Sequence, residues 1–147
     1  MQAIEETTGR GVEAPPARFR FEKLTVWQSA RQLCGEVYRV TQHFPKEELF
    51  GLTSQLRRAA VSITANIAEG SGRNSDRDFA HFLEMAYGSA METAALLHVA
   101  TDTGRLDAPK RDALLGLTAE VSAQLNALNR TLTVERTKTP FPRKSHV

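Results

Sequence analysis

A spacing constrains this chain more than any other feature. After Leu49, the apolar residues Leu52, Leu56, Ala60, Ile63 and Ile67 follow at intervals of three or four. A strand buries every second residue, whereas a helix brings positions three and four apart onto one face. Residues 46–69 therefore read as an amphipathic helix. Three more stretches carry the same period. Residues 24–43 align Val26, Ala30, Leu33, Val37, Val40 and Phe44, with Leu24, Trp27, Cys34 and Tyr38 on a neighbouring stripe that Arg31 interrupts. Residues 75–103 align Phe79, Leu83, Ala86, Ala90, Ala94 and Leu97, and a fourth segment from about Asp107 aligns Leu114, Leu117, Val121, Leu125, Leu128 and Leu132. Nothing reads as a strand.

Local signals punctuate these segments. Pro45 ends the first and can seat in the opening turn of the second. Ser75 is a capping residue with Asp78 three positions later, and Thr103-Gly104 is a stop. Short connections imply antiparallel neighbours. At 147 residues and 41% apolar content the chain is long enough to bury one core. The expected fold is all-α, an antiparallel up-down-up-down four-helix bundle over residues 19–134. Residues 1–18 and 135–147, poor in large apolar side chains, are expected to be disordered tails.

The second segment has more apolar circumference than one bundle seam requires. Phe50, Val61 and Ala68 fall roughly 120–140° around from Leu56 at 100° per residue, widening the apolar arc to about 200°. A second copy of the chain would cover the excess. Phe50, Arg57, Val61 and Ala68 are the expected oligomer contacts.

Composition removes several classes of function. No stretch approaches the roughly 18 apolar residues of a membrane span, and the N-terminal residues lack the apolar core of a secretory signal. With Cys34 as its single cysteine, the chain forms no internal disulfide and suits a reducing compartment, so a cytoplasmic location is expected. The net charge of +2 is unevenly spread. Residues 75–104 hold Arg77 against Asp76, Asp78, Glu84, Glu92 and Asp102, a balance of −4, while residues 135–147 hold a balance of +3.

The stretch SITANIAEGSGR, residues 62–73, is the most unusual local feature. A phosphate-binding loop is disfavoured, because the stretch follows a helix and lacks the lysine-threonine ending. Helical di-metal sites need Glu-x-x-His pairs, yet no glutamate of the four segments has a histidine three residues on, so no metal is expected. Cys34 lies among apolar neighbours with no evident base, which leaves no nucleophilic catalysis, and no cofactor is expected. The remaining reading is structural. Gly70 is a helix C-cap before an exposed turn, and Gln55, Asn66 and Glu69 on one edge of the second helix meet Ser89 and Glu92 of the third as a polar lock.

Several ordered motifs carry a family likeness. Phe21-Glu-Lys-Leu-Thr-Val-Trp27, Phe44-Pro-Lys-Glu-Glu-Leu-Phe-Gly-Leu52, Gln55-Leu-Arg-Arg-Ala-Ala60, Asn66-Ile-Ala-Glu-Gly70 and Ala86-Tyr-Gly-Ser-Ala-Met-Glu92 resemble the 23S rRNA intervening-sequence proteins over about residues 19–130. The resemblance implies a four-helix bundle assembling as a homopentamer. A related branch, the accessory variability determinants of diversity-generating retroelements, implies nucleic acid and a reverse transcriptase as partners. The expectation is a non-enzymatic homo-oligomer binding RNA or DNA through Arg31, Arg39, Arg57, Arg58, Arg73 and Arg77. The alternative is a protein-interaction scaffold that docks through its acidic third helix.

Overall fold

The computed structural model describes residues 15–138, and of residues 134–138 the backbone alone. Among the described residues there are four α-helices and no strands: α1 Thr25–Thr41, α2 Leu52–Ser71, α3 Asp76–Asp102 and α4 Ala108–Lys138. Short 3-10 turns at Arg20–Lys23 and Lys46–Glu48 precede α1 and α2. Each helix packs on its sequence neighbours, and α1 also packs on α4, while α1 and α3 do not meet, nor do α2 and α4. The result is an antiparallel up-down-up-down bundle with α1 diagonal to α3.

The buried residues are the ones the period selects. Val26, Ala30, Leu33 and Val37 of α1 face Leu56, Ala60, Ile63 and Ile67 of α2, Leu83, Ala86, Ala90 and Leu97 of α3, and Val121 and Leu125 of α4 in one apolar core. Phe21, at the entry to α1, packs edge-on against Trp27 with ring centroids 4.8 Å apart. Ser75 caps α3 as its hydroxyl accepts a hydrogen bond from the Asp78 amide at 3.1 Å. Gly104, at φ +75°, closes the other end of α3 in the left-handed conformation that glycine adopts without strain.

Three sequence expectations change. The second helix begins at Leu52, not at residue 46, because Gly51 interrupts the chain at φ −114° and ψ −114°. Leu49 consequently leaves the core and Phe50 is almost fully exposed. The Glu48 carboxylate accepts from the Leu52 amide at 3.1 Å and so restarts the helix. Gly70 is not a C-cap. It lies inside α2, which runs on to Ser71 with Gly72 as its cap, and it is buried against the first turns of α3. At the other terminus, α4 runs to Lys138, past the boundary expected at residue 134. The tail expectations otherwise lie mostly outside the described residues; Pro15–Arg18 have no helix or strand.

Candidate functional surface

The outer face formed by α1 and α2 gathers the features with no role in the core. Tyr38, Leu49, Phe50 and Val61 are all exposed there, Phe50 at 94%. A cleft of about 510 Å³ opens among them, lined by Tyr38, Leu49, Thr53, Ser54, Arg57, Arg58, Val61 and Ser62. Arg57 is held in place. Its Nε donates to the Thr41 hydroxyl at 2.8 Å, and its guanidinium lies 4.5 Å from the centroid of the Tyr38 ring. Farther along α1, Arg31 lies 5.5 Å from the Trp27 ring centroid, a second arginine–aromatic pair. Thr41 was not among the expected site residues, although its position four after Val37 puts it on the buried stripe of α1.

The polar lock forms with different partners. Ser62, on α2, meets Ser89, on α3, with the two hydroxyl oxygens 2.9 Å apart. The Asn66 side-chain amide donates to the Ser62 carbonyl at 2.9 Å and to the Ser62 hydroxyl at 3.0 Å. Asn66 and Ser89 therefore join through Ser62 and not directly. Glu69 takes no part, because the end of α2 leaves it exposed, where it pairs with Arg73 at 2.9 Å. Gln55 and Glu92 instead line an open cleft of about 450 Å³ with Arg58, Ala59 and Ser62.

The six arginines expected to meet nucleic acid divide by environment. Arg39 is paired with Glu36 and Arg73 with Glu69, while Arg73 also lies 4.6 Å from the Phe82 ring centroid. Arg31, Arg57, Arg58 and Arg77 have no carboxylate within ion-pair distance among the described residues. Three of these four, Arg31, Arg57 and Arg58, belong to the α1–α2 face. Arg77 stands apart on α3, in a cleft with His81, Glu84 and Asn129 of α4. Of the expected oligomer contacts, Val61 is exposed, Ala68 and Arg57 are half-buried, and Phe50 projects from the turn before α2.

Residues 22–127 match the family model of the 23S rRNA-intervening sequence protein. The chain belongs to that family. A crystal structure of a protein of unknown function, from the S23 ribosomal protein family of Bacteroides thetaiotaomicron, superposes with a TM-score of 0.65 at 21% identity, covering 71% of this chain and 98% of that one. At that identity the likeness shows a shared bundle fold. No curated protein matches the chain.

The family's motifs have visible structural work in this member. Phe44-Pro-Lys-Glu-Glu-Leu-Phe-Gly-Leu52 is the capped restart of α2, and Asn66-Ile-Ala-Glu-Gly70 supplies the α2–α3 contact. Cys34 is half-buried beside the core, and burial raises its thiol pKa, the reverse of what an activated nucleophile requires. Among the described residues no group of three or more His, Cys, Asp or Glu side chains gathers to hold a metal, and no helix is long and apolar enough to cross a membrane.

Proposed function

We propose that the protein is a non-enzymatic homo-oligomeric bundle, pentameric as the family resemblance implies, whose subunits meet through the α1–α2 face and whose assembled arginines bind nucleic acid. The observation that carries this reading is that face itself. Tyr38, Leu49, Phe50 and Val61 are exposed together around a cleft whose arginines have no carboxylate partner. Scattered exposed apolar residues are ordinary, but a contiguous group beside unpaired cations marks an interaction surface. Burying Phe50 and Val61 between subunits is worth about 1.5–3 kcal/mol for each large side chain removed from water.

Arg31 and Arg58 are the cations this reading assigns to phosphate, and Arg57 the one it assigns to the subunit boundary. Phosphate neutralisation releases counterions, so log affinity for duplex nucleic acid falls linearly with log salt at about −0.9 per phosphate contacted. The test is a salt series of fluorescence-anisotropy measurements with duplex and single-stranded RNA and DNA, run on the assembled protein. A steep salt slope that flattens in Arg31→Ala and Arg58→Ala supports nucleic-acid binding. An intact oligomer that binds none of these at low salt removes that half of the reading and favours a protein scaffold.

A further inference from the structure

The α1–α2 face cannot satisfy itself. Two copies meeting there by a two-fold axis would bring Arg57 and Arg58 of one towards Arg57 and Arg58 of the other, and like charges set against each other at an interface are costly. The complement lies elsewhere on the same molecule. The outer face of α3 exposes Met85, Met91 and Val99, with Glu84, Glu92 and Asp102 beside them. None of these three carboxylates has an ion-pair partner among the described residues. The α3 segment carries five acids against one base, and α1 and α3 sit on opposite corners of the bundle. One face is thus apolar and basic, and another is apolar and acidic.

We infer that the α3 outer face receives the α1–α2 face of a second copy, so that assembly is head-to-tail. This inference rests on the reading that α1–α2 is a subunit contact, and it adds the identity of the opposing surface. A head-to-tail contact leaves one free face of each kind on every dimer, so it propagates until a ring closes or a filament forms. The sign of the two faces sets the order: cations of one subunit lie over carboxylates of the next. The apolar side chains then supply area without sequence-specific demands, and the charges supply register.

Two full-length variants test it. Val61→Glu places an acid on the α1–α2 face. Met85→Arg combined with Glu92→Arg reverses the α3 face at two exposed positions. Circular dichroism establishes that both keep wild-type helicity, and light scattering gives mass. Each variant alone is expected at the 16.3 kDa chain mass. Their equimolar mixture is expected at twice that mass and no higher, because one intact face of each kind survives. An α3 variant that assembles like the wild type while Val61→Glu is monomeric overturns the inference and leaves the α1–α2 contact standing. Two monomeric variants that do not combine also overturn it. A Val61→Glu chain that assembles normally refutes the α1–α2 contact itself.

Discussion

Replacing Gly70 by alanine adds one methyl group where α3 leaves no room for it. A Cβ built on Gly70 stands 2.6 Å from Cβ of Phe82, 3.1 Å from Cδ1 of Phe79 and 3.4 Å from the Phe79 carbonyl oxygen. The nearest of these is a Cβ, fixed by the α3 backbone, so no rotamer change relieves the clash and the helices must separate. Overpacking of this kind costs about 1–3 kcal/mol. Alanine returns up to about 1 kcal/mol through its better helix propensity, leaving a net loss of about 1–2 kcal/mol. Gly116→Ala is the control, since a Cβ at that exposed helical position meets nothing within 4 Å. There the propensity term acts alone and should stabilise by about 0.5–1 kcal/mol. Thermal and urea melts at one fixed protein concentration separate the two, at roughly 3–5 °C per kcal/mol for a domain of this size. Opposite signs are expected. A Gly70→Ala protein as stable as the wild type would refute the close α2–α3 approach.

Other perturbations follow from named contacts. Ser62→Ala should destabilise by about 1 kcal/mol, since it strips partners from both Asn66 and Ser89, and the Ser62→Ala, Ser89→Ala cycle in urea should show coupling of at least about 0.5 kcal/mol. Arg57→Ala should cost about 1 kcal/mol through loss of the Thr41 hydrogen bond and Tyr38 stacking, whereas Arg58→Ala should leave chain stability within about 0.5 kcal/mol in the same melts. Burial raises the Cys34 pKa, so labelling by a thiol reagent should be slower in the folded protein than in denaturant and should accelerate only above the ordinary thiol range. Because the fold favours the neutral thiol, this group's stabilising contribution is complete below the ordinary thiol pKa and fades as pH rises through the higher folded value.

The bundle was legible because burial on one side of a helix leaves a periodic trace. Val26, Ala30, Leu33 and Val37, or Leu56, Ala60, Ile63 and Ile67, are read correctly from spacing alone. What spacing does not encode is how the chain breaks. Lys46–Glu48 continue the period of α2 in sequence, yet they form a separate 3-10 turn, and Phe50 therefore projects from a loop at an angle no helical wheel supplies. Gly70 illustrates a different blind spot. A glycine near a helix end usually signals a cap, but here the close approach of Phe79 and Phe82 decides, and that contact is tertiary. The polar lock was half visible, since edge position identified Asn66 and Ser89. Side-chain length decided the rest: serine is short enough to bridge α2 and α3, while Glu69 reaches Arg73 one turn on. In α4, Thr118 and Ser122 are buried because each hydroxyl donates to the carbonyl four residues back at 2.8 Å, a local bond that makes a polar residue acceptable in the core.

Sedimentation equilibrium of the full-length wild-type chain over a wide concentration range is the most direct test of whether copies cover the α1–α2 face. The expected result is a discrete multiple of 16.3 kDa that Phe50→Glu reduces to a single chain, with helicity unchanged because Phe50 is exposed in the protomer. A wild-type chain that remains a well-folded monomer at the highest concentration would contradict it.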